Sequence, residues 1–268
     1  MKRCDELRHI LLELDPKQSP EAVAFFESME KGSELSAFEL ATALVKCDTA
    51  REMPRILFDF IVGLYEEAIA DGSSDAMNDL GVLYYDGRGC EQDYAKAFRY
   101  YKKAAKLGHR RAQENLGYCY YYGRSVPIDY EKAFRYFALG AFEGATVSLY
   151  KIGDMYMNGY YVEKNPTEAF RIYTKCLECL PERISQDAAG PVLLRLGNCF
   201  LNGIGVDPNP KTALFAFQKA ENYLREMISA GNVRYESSLQ AAIDGQAKAR
   251  EKLQDKPPKN GKRGGKKD

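Results

Sequence analysis

The sequence predicts an all-α solenoid of stacked helix–turn–helix repeats, and three observations carry that prediction. Gly81, Gly117 and Gly153 stand 36 residues apart, with a fourth copy centred on Gly197. A fixed period in this range marks a stacked repeat array. Each of these glycines follows an aliphatic residue (Leu80, Leu116, Ile152, Leu196) and precedes an aromatic by three residues (Tyr84, Tyr120, Tyr156, Phe200). A second series then recurs in register. It comprises a turn glycine (Gly87, Gly123, Gly159, Gly203), a capping residue (Asp93, Asp129, Asn165, Asn209), an alanine (Ala97, Ala133, Ala169, Ala213) and an aromatic (Tyr101, Phe137, Tyr173, Phe217).

Each residue type has a physical reason to be there. A glycine inside a helix loses about 1 kcal/mol against alanine, so four at one register call for a compensating gain. The expectation is a close approach of two helix backbones, with the aromatics filling the space between successive hairpins. The turn glycines suit helix ends that need a left-handed residue. Asp and Asn are among the best N-caps, and Pro166 and Pro210 sit where a missing N–H costs little.

Taken in order, residues 1–36 read as N-terminal capping helices. Leu7, Ile10, Leu11 and Leu14 form an amphipathic stripe, and Ser19-Pro20-Glu21 opens a second helix. Ser36 with Glu39 reads as a capping box for a helix over 37–47. Residues 37–72 read as a degenerate repeat, because Ile61, Tyr65, Ala68 and Gly72 align with Ala97, Tyr101, Ala104 and Gly108. Residues 73–231 hold the four clear copies. The spacing from Gly153 to Gly197 is 44, and the surplus is assigned to an extended loop over 180–190. A long second helix from Pro210 to Ala230 is interrupted at Gly231. Residues 232–254 read as a C-terminal capping helix, and 255–268 as a disordered basic tail.

Composition narrows the function classes. Net charge is zero, but the tail carries six bases against two acids, leaving the body with 32 bases against 36 acids. An acid-leaning body gives no electrostatic case for wrapping nucleic acid. No apolar run approaches a membrane span, and His9, Glu13 and Asp15 break the start of any leader-like stretch. Seven cysteines at irregular spacing fit a reducing compartment and argue against a disulfide scaffold. These features together read as a cytoplasmic protein.

The pattern Ala76-x-x-x-Leu80-Gly81-x-x-Tyr84-x-x-Gly87-x-Gly89, followed by Asp93-x-x-Lys96-Ala97 and Tyr100-Tyr101-x-Lys103-Ala104-Ala105, resembles the Sel1-like repeat family. The second copy keeps Ala112, Leu116, Gly117, Tyr120, Gly123, Asp129, Lys132, Ala133 and Tyr136. The later copies are looser: Ser148 and Val192 replace the first alanine, and Glu168 and Thr212 the lysine. The resemblance covers roughly 75–224 and implies a right-handed superhelix of the tetratricopeptide class, used as an adaptor. A protein or peptide partner is therefore implied by resemblance; no cofactor and no catalysis are expected, because the sequence motifs do not carry such chemistry.

In such arrays the first helices line the concave surface. Candidate partner-binding residues lie there, between the packing positions. They are Asn78, Val82, Tyr85 and Asp86 in the first copy, and Glu114, Tyr118, Tyr121 and Tyr122 in the second. The third copy offers Tyr150, Asp154, Met157 and Asn158, and the fourth Leu194, Asn198, Leu201 and Asn202. Aromatic-rich, charge-poor surfaces resemble interaction hot spots, although the same tyrosines could simply pack between repeats. The basic tail is a second candidate, for a nucleic acid or another acidic surface. Cys176-x-x-Cys179 lacks the second pair that a four-ligand metal site needs, and Cys176 shares the small-residue register of Ala104 and Ala220. Cys119 and Cys199 share one register and read as small buried residues. Two histidines offer little for nucleophilic catalysis.

Overall fold

The structure is a computed structural model that describes residues 9–10, 35–47, 53–178, 186–230 and 232–254. The N-terminal expectations other than the box at Ser36 lie outside these residues, as do Cys179, the break at Gly231 and the basic tail. Among the described residues the regular structure is helical throughout, and no helix is long and apolar enough to cross a membrane.

The chain divides into two compact units, 1–143 and 144–268. The first contains α1 (Ala37–Cys47), α2 (Arg55–Ala70), α3 (Ser74–Asp86), α4 (Tyr94–Lys106), α5 (Arg110–Tyr122) and α6 (Tyr130–Phe142). The second contains α7 (Thr146–Asn158), α8 (Pro166–Glu178), α9 (Gln186–Asn202), α10 (Pro210–Ser229), a 3₁₀ turn (Val233–Tyr235) and α11 (Glu236–Gln254).

Local chemistry sets each boundary. At α1 the capping box forms: Glu39 N–H donates to Ser36 Oγ at 3.2 Å, and Ser36 N–H donates to Glu39 Oε2 at 2.9 Å. The first helices end on left-handed glycines, with φ of 69° at Gly87, Gly123 and Gly203 and 75° at Gly159. The second helices begin where the sequence places their caps. Asp93, Asp129, Asn165 and Asn209 each accept from the N–H three residues on, at 2.8–3.1 Å. Each cap residue also donates its own N–H to the carbonyl of the first-helix aromatic (Tyr84, Tyr120, Tyr156, Phe200) at 2.7–3.0 Å. One residue therefore closes the turn and starts the next helix.

The repeat glycines are explained by a ring, not by the backbone contact expected above. A Cβ placed on Gly81 would lie 2.7 Å from Tyr101, on Gly117 2.8 Å from Phe137, and on Gly153 and Gly197 2.6 Å from Tyr173 and Phe217. The second-helix aromatics thus pack into their own hairpins and also against the next first helix: Tyr101 clusters with Ala112 and Leu116, and Tyr173 with Val192 and Leu196. The first-helix aromatics bridge repeats too. Tyr120 stacks on Tyr136 within its hairpin at 6.0 Å and meets Phe98 of the preceding hairpin edge-on at 5.8 Å. In the second unit Phe200 meets Phe170 in the same way at 5.5 Å.

The surplus between the third and fourth repeats is in part helix. Residues 186–190 form the start of α9, and Ala188 and Ala189 are buried. Gly190 packs against Leu224, which lies in the part of α10 that exceeds the length of the other second helices. The expected loop over 180–190 is shortened accordingly; 179–185 lie outside the described residues.

Helix α11 is the last described helix of the second unit. Ala242, Gln246 and Ala249 are buried with the spacing of Ala112, Leu116 and Cys119, as though α11 were another first helix. Two of the repeat positions are polar here: Gln246 stands where a leucine would, and exposed Arg250 where a tyrosine would. Gln246 is satisfied by Glu221 Oε2 at 2.5 Å and by Arg250 at 3.1 Å. Where Leu116 packs on the helix before it, Gln246 thus makes a polar contact to α10.

Candidate functional site

The first helices carry two kinds of position. Those at Ala76, Leu80, Gly81 and Leu83, with their counterparts, form the core. The others decide what the helices present.

Of the sixteen candidate residues, Asp86, Tyr122, Asn158, Asn198 and Asn202 are exposed, and Val82, Tyr85, Glu114, Tyr118, Tyr121 and Met157 are half-buried. The remaining five, Asn78, Tyr150, Asp154, Leu194 and Leu201, are buried. Their expected solvent-facing placement is therefore corrected. Leu194 and Leu201 belong to the cluster that α10 and α11 close, with Phe217, Leu224, Ala242 and Ala249. Lys252 of α11 also donates to the Leu201 carbonyl at 2.8 Å. Asn78, Tyr150 and Asp154 are buried in polar contacts that link one repeat to the next.

Those contacts involve a register that the spacing did not single out, the residue just before each Leu-Gly step: Asp79, Asn115, Lys151 and Arg195. In the first unit Asn115 Nδ2 donates to Asn78 Oδ1 at 3.0 Å, and Asn78 Nδ2 donates to Asp79 Oδ1 at 3.0 Å. Burial raises the Asp79 carboxyl above its ordinary value, and the Asn78 hydrogen bond opposes that rise. In the second unit Arg195 reaches back to the preceding first helix. Its Nη2 donates to Asp154 Oδ2 at 2.6 Å, its Nε donates to Asp154 Oδ1, and its guanidinium lies 4.7 Å from the Tyr150 ring centre. Its Nη1 donates to the Pro191 carbonyl at 2.9 Å.

Asp154 also accepts from Tyr173 Oη at 2.8 Å and pairs with Lys151 Nζ at 3.5 Å. Burial alone would push its carboxyl up, but the charge and hydrogen bonds of Arg195, with Lys151 and Tyr173, hold it below the ordinary carboxylate value. Burial and the Asp154 charge together push the Tyr173 hydroxyl up. The signal for this register was present as a polar residue just before the aliphatic–glycine step in all four copies, a costly place for charge unless it is paired.

The tyrosines of α3 and α5 pack as well as face outward. Tyr85 meets Tyr94 edge-on at 5.0 Å, and Tyr121 meets Tyr122 at 4.8 Å and Phe137 at 6.2 Å. Tyr118 and Tyr122 lie nearly parallel at 6.1 Å, with Tyr122 46% exposed.

The buried cysteines are held away from their reactive form. Burial pushes the Cys119 thiol up to about 12 and Cys199 to about 11, far from the thiolate that attacks or ligates. Cys176 is fully buried in its small-residue register. Among the described residues no three His, Cys, Asp or Glu side chains are grouped to hold a metal ion.

The family model for the Sel1 repeat matches residues 74–109, 110–141, 146–175 and 191–232, together just over half of the chain. The chain belongs to the Sel1 repeat family. Among solved structures, a Sel1 repeat protein from Oxalobacter formigenes is 21% identical, with a TM-score of 0.58 over 92% of this chain and 99% of that one. A protective antigen of uropathogenic Escherichia coli displaying an SLR fold is also 21% identical, with a TM-score of 0.55 over 81% of this chain. The chain spans 45% of that antigen's length. At this identity both comparisons speak to the fold. Comparison with curated protein sequences finds no match. The Sel1 repeats thus account for the glycine, aromatic and cap registers, while the exposed residues of the first helices lie outside what the fold requires.

Proposed function

We propose that this Sel1-repeat protein is a non-catalytic adaptor that binds a protein or peptide on the exposed side of its first helices. Residues 37–72 act as a degenerate repeat before the four clear copies, and α11 acts as a capping helix after them. The observation that carries the reading is the Tyr118–Tyr122 stack. A large ring is held in place by a parallel neighbour while 46% of it stays in solvent. A pre-ordered aromatic of this kind gives contact area at little entropic cost on binding. We place the protein in the cytoplasm, since buried thiols such as Cys119 and Cys199 suit a reducing compartment. The acid-leaning body favours a protein over a nucleic acid.

Site-specific photo-crosslinking in the source cells tests this. A benzophenone amino acid at 122 is expected to capture a discrete partner, whereas the same probe at Arg135, exposed on the second helix α6, is not. Equal capture at both positions, or capture at 135 alone, would overturn the assignment of the face.

A further inference from the structure

Arg88 and Arg124 occupy one register of the first unit, the residue after the turn glycine, and their guanidinium groups are used differently. Arg88 Nη2 donates to the Val45 carbonyl at 2.8 Å, closing one of the carbonyls in the last turn of α1. Arg124 closes nothing. Its guanidinium lies over the Tyr94 ring of α4, 4.6 Å from the ring centre, and makes no hydrogen bond or ion pair with any described residue. The Nε is enclosed without an acceptor, while the half-buried side chain leaves both Nη groups within reach of solvent. Packing against a ring, and no acceptor, holds the group in place, so its Nη fork stays available.

The acids at the neighbouring turns are spent elsewhere: Asp93 pairs with Lys96 at 3.7 Å and Asp129 with Lys132 at 2.7 Å. The position adjoins the candidate face. Arg124 follows Tyr122 by two residues, and the Tyr94 ring that holds it meets Tyr85 of α3 edge-on at 5.0 Å.

The planar fork of a guanidinium fits the two oxygens of a carboxylate, and its single charge matches the carboxylate's own. A phosphate group carries nearly two charges and gains less from one cation on an acid-leaning body. Arg88 shows that this register already takes an acyl oxygen where the chain supplies one.

Resting on the adaptor reading above, we infer that Arg124 anchors a carboxylate of the partner protein, supplied either by that protein's C-terminus or by an aspartate or glutamate side chain. The Nη groups donate to the two oxygens, and the Tyr94 ring keeps the guanidinium in place behind them.

The full chain, immobilised, is used to select from random dodecapeptides displayed with free C-termini. Selected peptides are synthesised with free or amidated C-termini, and with each acid replaced by its amide. Calorimetry then measures them against the wild type, Arg124→Lys, Arg124→Gln and Tyr122→Ala, with circular dichroism confirming that each variant is folded. Neutralising one carboxylate is expected to weaken binding about tenfold. Arg124→Gln should weaken it equally, with no further loss when the two changes are combined. Arg124→Lys should fall between, because an ammonium keeps the charge and loses the fork. Sensitivity to amidation assigns the carboxylate to a chain end, and sensitivity to one replaced acid assigns it to a side chain. Peptides that ignore every neutralised carboxylate, or lose the same tenfold in Arg124→Gln as in wild type, would overturn this inference. Their loss of affinity with Tyr122→Ala would leave the adaptor reading standing. Tighter binding through Arg124 when phosphoserine replaces the critical acid would make this a phosphate site and overturn the inference as well. Failure to select any peptide that the wild-type chain binds would overturn both readings.

Discussion

Gly117 of α5 lies directly under the ring of Phe137 of α6, so close that a Cβ at 117 would stand 2.8 Å from the ring edge. The same pairing recurs in all four repeats, and it sets helix propensity against packing. Gly117→Ala gains about 1 kcal/mol of helix propensity but forces an aromatic out of a fully packed site, which costs about 1–3 kcal/mol. Packing outweighs propensity over most of that range, so the variant is expected to be less stable by up to about 2 kcal/mol in urea denaturation. At Gly63 in α2 an added Cβ would meet no atom within 4 Å. There the same substitution, Gly63→Ala, is expected to stabilise by about 0.5–1 kcal/mol. Equal effects at the two sites would mean that the ring does not set the glycine register.

A missing cap gives a second prediction. The helices α3 and α5 begin on Ser73 and His109, whose side chains accept from Ala76 N–H and Ala112 N–H, both at 3.1 Å. Helix α7 begins on Ala145, with φ −74° and ψ 108°, within 10° of Ser73 at −67° and 111°, but with no side-chain acceptor. Ala145→Ser is expected to raise stability by about 1 kcal/mol, read as a higher urea midpoint with an unchanged slope. The control, Ser73→Ala, should lower it by a similar amount.

These positions show which parts of the molecule could be read from the chain alone. Caps such as Asp93 and Asn209 were legible because the interaction spans three residues and depends on the local backbone. The need for glycine at 81 and 117 was legible too, but what lay against it was not, since a glycine records only that space is short. The Arg195–Asp154 pair joins residues 41 apart in sequence, and nothing local distinguishes a buried charge from a solvated one. The burial of Leu194 and Leu201 depended on α11, whose weak apolar stripe did not announce which helix it would cover.

Backbone strain gives a third prediction. The third turn position has φ of 76° at Gly89, 66° at Ser125, 65° at Tyr161 and 70° at Gly205. A non-glycine residue in this left-handed region costs about 1–2 kcal/mol, while glycine costs about 0.5–1 kcal/mol through unfolded-chain entropy. Ser125→Gly is therefore expected to stabilise the protein by about 0.5–1 kcal/mol. Gly205→Ala is expected to destabilise it by more than the left-handed cost alone, because a Cβ there would clash with the Pro166 carbonyl group, whose carbon would lie 2.9 Å away. Differential scanning calorimetry of the two variants reads both signs, and a Ser125→Gly transition at or below wild type would contradict the strain argument.

The buried charge network links stability to pH. Asp154 is held below the ordinary carboxylate value in the folded state, so folding favours its ionised form. The stabilisation is fully present above the unfolded carboxyl value, about 3.9, and is lost as pH falls through the lower folded value. Asp154→Asn leaves half-buried Arg195 beside Tyr150 without its counter-charge, which costs up to about 3 kcal/mol at neutral pH. Replacing both partners, Asp154→Leu with Arg195→Met, should recover part of that loss, because the Arg195 charge goes with its partner while buried Lys151 loses Asp154. A double-mutant cycle by urea denaturation at stepped pH reads the coupling directly. It should hold constant from pH 7 to below about 4 and decline only at more acid pH. A coupling that fell between pH 7 and pH 5 would place the titration elsewhere and remove Asp154 from the centre of the network.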